Sequence, residues 1–146
     1  MQGVRMGAVA MVLVVLVAVM VSAQARRVEN PYQGDHAFEL GRPLELRVVI
    51  AGIRVDAIHI EPLETVASGR EVQCEIRITG AHTGKRRAEV EISLLLENQR
   101  RRALDRINLA PFRIRPGREF EEAQRFRVNG AALQQAVVVF VLVEVT

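Results

Sequence analysis

Residues that commonly carry chemistry are scarce in this sequence. Of its 146 residues one is cysteine, Cys74, so no disulfide can form within the chain and its core must hold it together. Cys74 falls in Val-Gln-Cys-Glu-Ile-Arg-Ile, in phase with Val72, Ile76 and Ile78, which predicts a buried apolar thiol and not a nucleophile. Tryptophan is absent and aromatics make up 4% of the chain, leaving little from which to build a sugar-stacking platform. The three histidines, His36, His59 and His82, lie in separate segments with no His partner two or four residues away. His59 and Glu61 share a strand face, which is half a metal site at most, so solvated histidines are expected and no metal or cofactor. Ser68 and Ser93 are the only serines after residue 25; neither lies in Gly-x-Ser-x-Gly, and Ser93 alternates with Ile92 and Leu94 as an outward residue would. Glu121 and Glu122 are adjacent, so on a strand they point to opposite faces and cannot share a substrate. No nucleotide motif is present. These absences predict a protein that is not an enzyme.

Lysine is also scarce. After residue 25 the basic residues are 18 Arg and one Lys, Lys85, a bias that fits a GC-rich bacterial genome. Against 17 acidic residues they leave a net charge of about +2, a small excess and not a basic field over the whole molecule.

The chain begins with Arg5, an apolar run over residues 6–21, and then Ala23-Gln24-Ala25. A charged start, an apolar stretch and Ala-x-Ala define a secretory signal, so residues 1–25 are expected to be removed after Ala25, giving a secreted or periplasmic protein. The alternative is a membrane anchor over residues 6–21, although 16 residues are short of the ~20 that span a bilayer.

Strand patterns fill the rest. Residues 44–50 alternate Leu44, Leu46, Val48 and Ile50 against Glu45, Arg47 and Val49. A bend at Ala51-Gly52 leads to a strand over 53–60, whose phase slips between Val55 and Ile58 and predicts a bulge near Ala57. Strands over 71–79 and 86–98 read as a long hairpin. Short strands follow near 107–109 and 112–115, then a Pro116-Gly117 type II turn, a strand over 119–128, a turn at Asn129-Gly130 and the last strand, 136–145. The prediction is an all-β, antiparallel, immunoglobulin-like sandwich of seven or eight strands over 44–146, with residues 26–43 as an N-terminal extension.

In residues 70–146 the succession of strand, turn, strand, Pro-Gly turn and late strand resembles immunoglobulin-like domains of the fibronectin type III or bacterial CARDB-like kind. That resemblance implies a non-enzymatic role in binding or structure at the bacterial cell envelope.

Two surfaces need explaining. In the final run Ala-Val-Val-Val-Phe-Val-Leu-Val-Glu-Val, Val138, Phe140 and Leu142 share a face with Glu144, where an ordinary sandwich strand carries polar residues. Either residues 26–43, with Tyr32, Phe38 and Leu40, cover that face, or the face or the open edge of the strand meets a protein partner or another copy. The second surface is basic. Arg113, Arg115, Arg125 and Arg127 all face away from the core, and if their strands are neighbours they form an Arg-lined face for a polysaccharide or other anionic polymer. Cross-strand ion pairs with Glu89, Glu91, Glu119 and Glu121 are the other reading of those arginines. Arg100-Arg101-Arg102 reads as a solvated loop.

Overall fold

A computed structural model describes residues 24–146; the predicted signal or anchor falls outside these residues, apart from Gln24 and Ala25. It is a mostly antiparallel two-sheet β-sandwich of immunoglobulin-like build. Its strands are β1 (Arg26–Val28), β2 (Tyr32–Ala37), β3 (Leu44–Ile50), β4 (Ile53–Pro62), β5 (Glu71–His82), β6 (Ala88–Glu97), β7 (Ala103–Asn108), β8 (Phe112–Ile114) and β9 (Glu119–Asn129). A helix, α1 (Gly130–Gln135), then leads to β10 (Val138–Val145).

One sheet runs β1-β3-β4-β5-β9 and the other β2-β10-β6-β7, with β8 also beside β6. The alternation seen in the sequence sets what meets between them. Ile50, Ile53, Val55, Ile58, Ile76 and Ile78 of the first sheet and Val90, Ile92, Leu94, Leu96, Val139, Val141 and Val143 of the second are almost wholly excluded from water. Each such side chain is worth ~1.5 to 3 kcal/mol in burial, so no disulfide is needed.

Several local features follow from backbone preference. Ala51 and Gly52 take φ of 47° and 85° between the paired Ile50 and Ile53, the two-residue type I′ turn that suits the twist of a hairpin. The predicted bulge in β4 lies at Asp56, where the register with β5 shifts between Val55 and Ala57. Opposite it stands Gly80, where a Cβ would collide with the Arg54 carbonyl oxygen and Phe120.

Three expectations change. The strand count is ten, because residues 26–43 are woven into both sheets: β1 runs parallel to β3, and β2 pairs with β10. The hairpin of β5 with β6 is not formed: β5 pairs with β4 and β9, whereas β6 pairs with β10, β7 and β8. Alternation marks a strand's buried face but not its neighbour, and residues 83–87 carry the chain from one sheet to the other. Third, Asn129-Gly130 does not make a hairpin turn. The Asn129 side chain accepts the Ala131 N–H at 2.9 Å and caps α1, so the last strand starts at Val138 and not Ala136.

Candidate functional site

The final strand lies inside its sheet, hydrogen-bonded to β2 on one side and β6 on the other. An open edge at β10 is therefore absent. The expected cover is also absent, for a physical reason: β2 satisfies its backbone groups by pairing beside β10, which places Tyr32 and Phe38 in the core and not over the outer face. Val139, Val141, Val143 and Val145 point inward and are buried, while Val138, Phe140 and Leu142 lie half-buried on the outer face, with Glu144 exposed.

Register shows what surrounds them. Phe140 stands opposite Asp35 of β2 and Leu95 of β6, and Leu95 stands opposite Arg106 of β7. The four residues form one line across the sheet: acidic, apolar, apolar, basic. The adjacent line reads Gln33, Leu142, Ser93, Asn108, which is polar, apolar, small, polar. Leu95 was not singled out from the sequence. Its signal was present, since Leu94-Leu95-Leu96 breaks the alternation that otherwise leaves polar residues outside.

Arg101 partly crosses this face. It sits in the β6–β7 turn with a φ of 61°, and its Nη2 donates to Asp35 Oδ2 at 2.8 Å. Its Nε lies 2.8 Å from Glu97 Oε2 on β6, so the guanidinium links β6 to β2 over the end of β10 where Val138 sits. Arg100-Arg101-Arg102 is thus not uniformly a free loop.

The four arginines proposed as one face are divided. Arg113 is on β8 in the second sheet, Arg115 lies just beyond it, and Arg125 and Arg127 are on β9 in the first sheet. Arg113 Nε is 2.9 Å from Glu89 Oε2, and Arg125 Nε is 3.8 Å from Glu75 Oε2. Glu75 also takes Arg77 at 2.8 Å, with Arg77 reaching Glu121 at 4.0 Å. That sheet surface is a mixed lattice of exposed pairs, each worth ~0 to 1 kcal/mol.

The histidines are dispersed, and among the described residues no three His, Cys, Asp or Glu side chains gather as a metal site would need. Their environments differ from the solvated picture. His36 Nε2 lies 2.9 Å from the Tyr32 hydroxyl, and burial lowers its pKa, with Asp35 pulling the other way. His59 Nε2 is 3.2 Å from the Gly41 carbonyl oxygen. His82 is 3% exposed, the one buried polar side chain among the described residues. Its Nδ1 accepts the Gly84 N–H at 3.0 Å and its Nε2 contacts the Arg86 carbonyl oxygen, which assigns the proton to Nε2. Cys74 is buried beside Val72 and Ile76, and burial, helped by Glu64, pushes its thiol up to about 11, far from a nucleophile's range. Glu121 is exposed on one face of β9 and Glu122 is half-buried on the other. Gln124 exchanges two hydrogen bonds with the Ala110 backbone and pins the β7–β8 loop.

No protein-family model matches this chain, and none of the curated proteins matches it.

Proposed function

We propose that this chain is an exported, non-enzymatic interaction domain of the bacterial cell envelope that works by pairing with a second copy of itself. Within the immunoglobulin-like class, its kinship to fibronectin type III or CARDB-like domains rests on the succession of strands and the Pro116-Gly117 turn, where Gly117 has a φ of 70°. The location rests on the signal pattern in residues 1–25.

The observation that carries the reading is the line Asp35, Phe140, Leu95, Arg106. Consider a twofold axis lying in the face, parallel to the strands and midway between β10 and β6. It lays the line on itself in reverse, so Asp35 meets Arg106 of the second copy and Phe140 meets its Leu95. An isologous contact needs this self-complementarity. Asp35 Oδ1 is not engaged by Arg101, and Arg106 has no ion pair among the described residues.

Light scattering on the purified protein over about a hundredfold concentration range tests this. The dimer is expected to become a folded monomer in Leu142→Glu and to weaken in Arg106→Glu. A wild-type protein that stays monomeric throughout ends the proposal.

A further inference from the structure

We propose that one end of the sandwich, quite apart from the outer face of the β2-β10-β6-β7 sheet, binds a linear polyanion bearing repeated sulfate, phosphate or carboxylate groups. Three loops meet there. Thr83 donates to the Gly52 carbonyl oxygen through both its N–H and its Oγ1, each at 2.8 Å, joining the 83–87 loop to the β3–β4 turn. The His82 N–H donates to the Arg118 carbonyl oxygen at 2.8 Å and the Gly117 N–H donates to the His82 carbonyl oxygen at 2.9 Å, joining the Pro116-Gly117 turn. The loops so joined present Lys85, Arg86, Arg87, Arg115 and Arg118, all exposed, and Arg27 of β1 lines a cleft with Ala51, Gly52 and Thr83 beside them.

Two observations bear on this cluster. Among the described residues, none of these six cations belongs to an ion pair, a property shared with Arg106 and Arg127 among others, and here five of them stand on two loops tied together by hydrogen bonds. The nearby acidic groups are Glu119, which follows Arg118, Glu29 by Arg27, Glu89, which is held by Arg113, and the main-chain end of Thr146, which lines a cleft with Lys85, Arg86 and Arg87. The second observation is His82, whose buried ring bonds the Gly84 and Arg86 backbone, and thereby fixes the path of the loop that carries three consecutive cations. Gly84 fits because a Cβ there would come 2.8 Å from His82 Cε1.

The cations stand on two loops and on β1 around an open surface, so a small anion would meet one or two of them at a time. A chain of regularly spaced anions engages several together, and such binding is multivalent and strongly dependent on salt.

Fluorescence anisotropy with labelled heparin and with labelled polyphosphate is the test, run at several salt concentrations on the full protein. Lys85→Glu with Arg87→Glu, and separately Arg115→Glu with Arg118→Glu, are each expected to weaken binding at least ~10-fold and to flatten the salt dependence. Arg125→Glu with Arg127→Glu, on the sheet surface, is the charge-matched control and is expected to change it little. Gly84→Ala keeps every charge but displaces the loop against His82, and is expected to weaken binding measurably. All these positions except Gly84 are exposed, and thermal melts confirm folding of each variant. Equal losses in the loop and sheet variants would reduce the effect to overall charge and overturn the proposal. So would binding to phosphatidylglycerol vesicles without binding to either polymer, which would make the partner a membrane surface.

Discussion

His36 shows how a single side chain can tie stability to pH. Burial lowers its pKa from the ordinary 6.5, so the unfolded chain binds a proton more readily than the folded one. The stability this group contributes is therefore complete above pH 6.5 and is lost as the pH falls through the lowered folded value. Melting temperatures followed from pH 8 down to pH 5 should drop more steeply in the wild type than in His36→Gln. Equal slopes would exclude His36 as a source of the acid sensitivity. Gly80 makes a different kind of prediction. Because a Cβ there runs into the Arg54 carbonyl oxygen and the Phe120 ring, Gly80→Ala is expected to cost ~1 to 3 kcal/mol in urea unfolding, from overpacking and not from lost contact.

Among the elements, β2 and β10 had the most to reveal beyond the sequence. The period-two patterns of β3, β4, β5, β6 and β10 were legible because each strand has one face in the core, and the bulge at Asp56 was legible as a slip of phase. Tyr-Gln-Gly-Asp-His-Ala gives no such signal: its only fully buried side chain is Tyr32, as expected of an edge strand whose outer residues meet water. Its place is set instead by long-range bonds. Asn30 Nδ2 donates to the Val145 carbonyl oxygen at 2.7 Å and its Oδ1 accepts the Val145 N–H at 3.0 Å, fastening the start of β2 to the end of β10. Asn30→Ala is expected to lower stability by ~1 to 3 kcal/mol, since two hydrogen bonds go at once and leave half-buried backbone groups unpaired. Chemical denaturation measures this directly. The divided arginines were illegible for the same reason as the β5 and β6 pairing. Outward phase can be read in one strand, but whether two outward residues share a sheet depends on topology, and Arg113 and Arg125 stand on different sheets.

For the whole molecule, the surfaces of interest lie on different sides of one sandwich. An apolar line crosses the outer face of one sheet, and cations crown one end. The sequence showed the apolar excess through Val138, Phe140 and Leu142, but it could not show Leu95 and Arg106 alongside them, because that needs the register of three strands. It also carried Lys85-Arg86-Arg87 in plain view, while their union with Arg115 and Arg118 depends on the hydrogen bond that the His82 backbone donates to Arg118 and the one it accepts from Gly117. The proposed export makes its own prediction. When the protein is isolated from its native host, its intact mass should correspond to a first residue of Arg26; a mass that retains residues 6–21 would point to the anchored form.

The clasp between Asn30 and Val145 also bears on the order of assembly. Asn30, which opens β2, finds its partner only in β10, 115 residues later. Until β10 arrives, β2 has no neighbour and β6 has one side open, so an incomplete chain carries unsatisfied strand edges. Such a domain rewards prompt completion, and a chain stalled before Val138 would be a ready target for chaperones, proteases or mispairing with its neighbours.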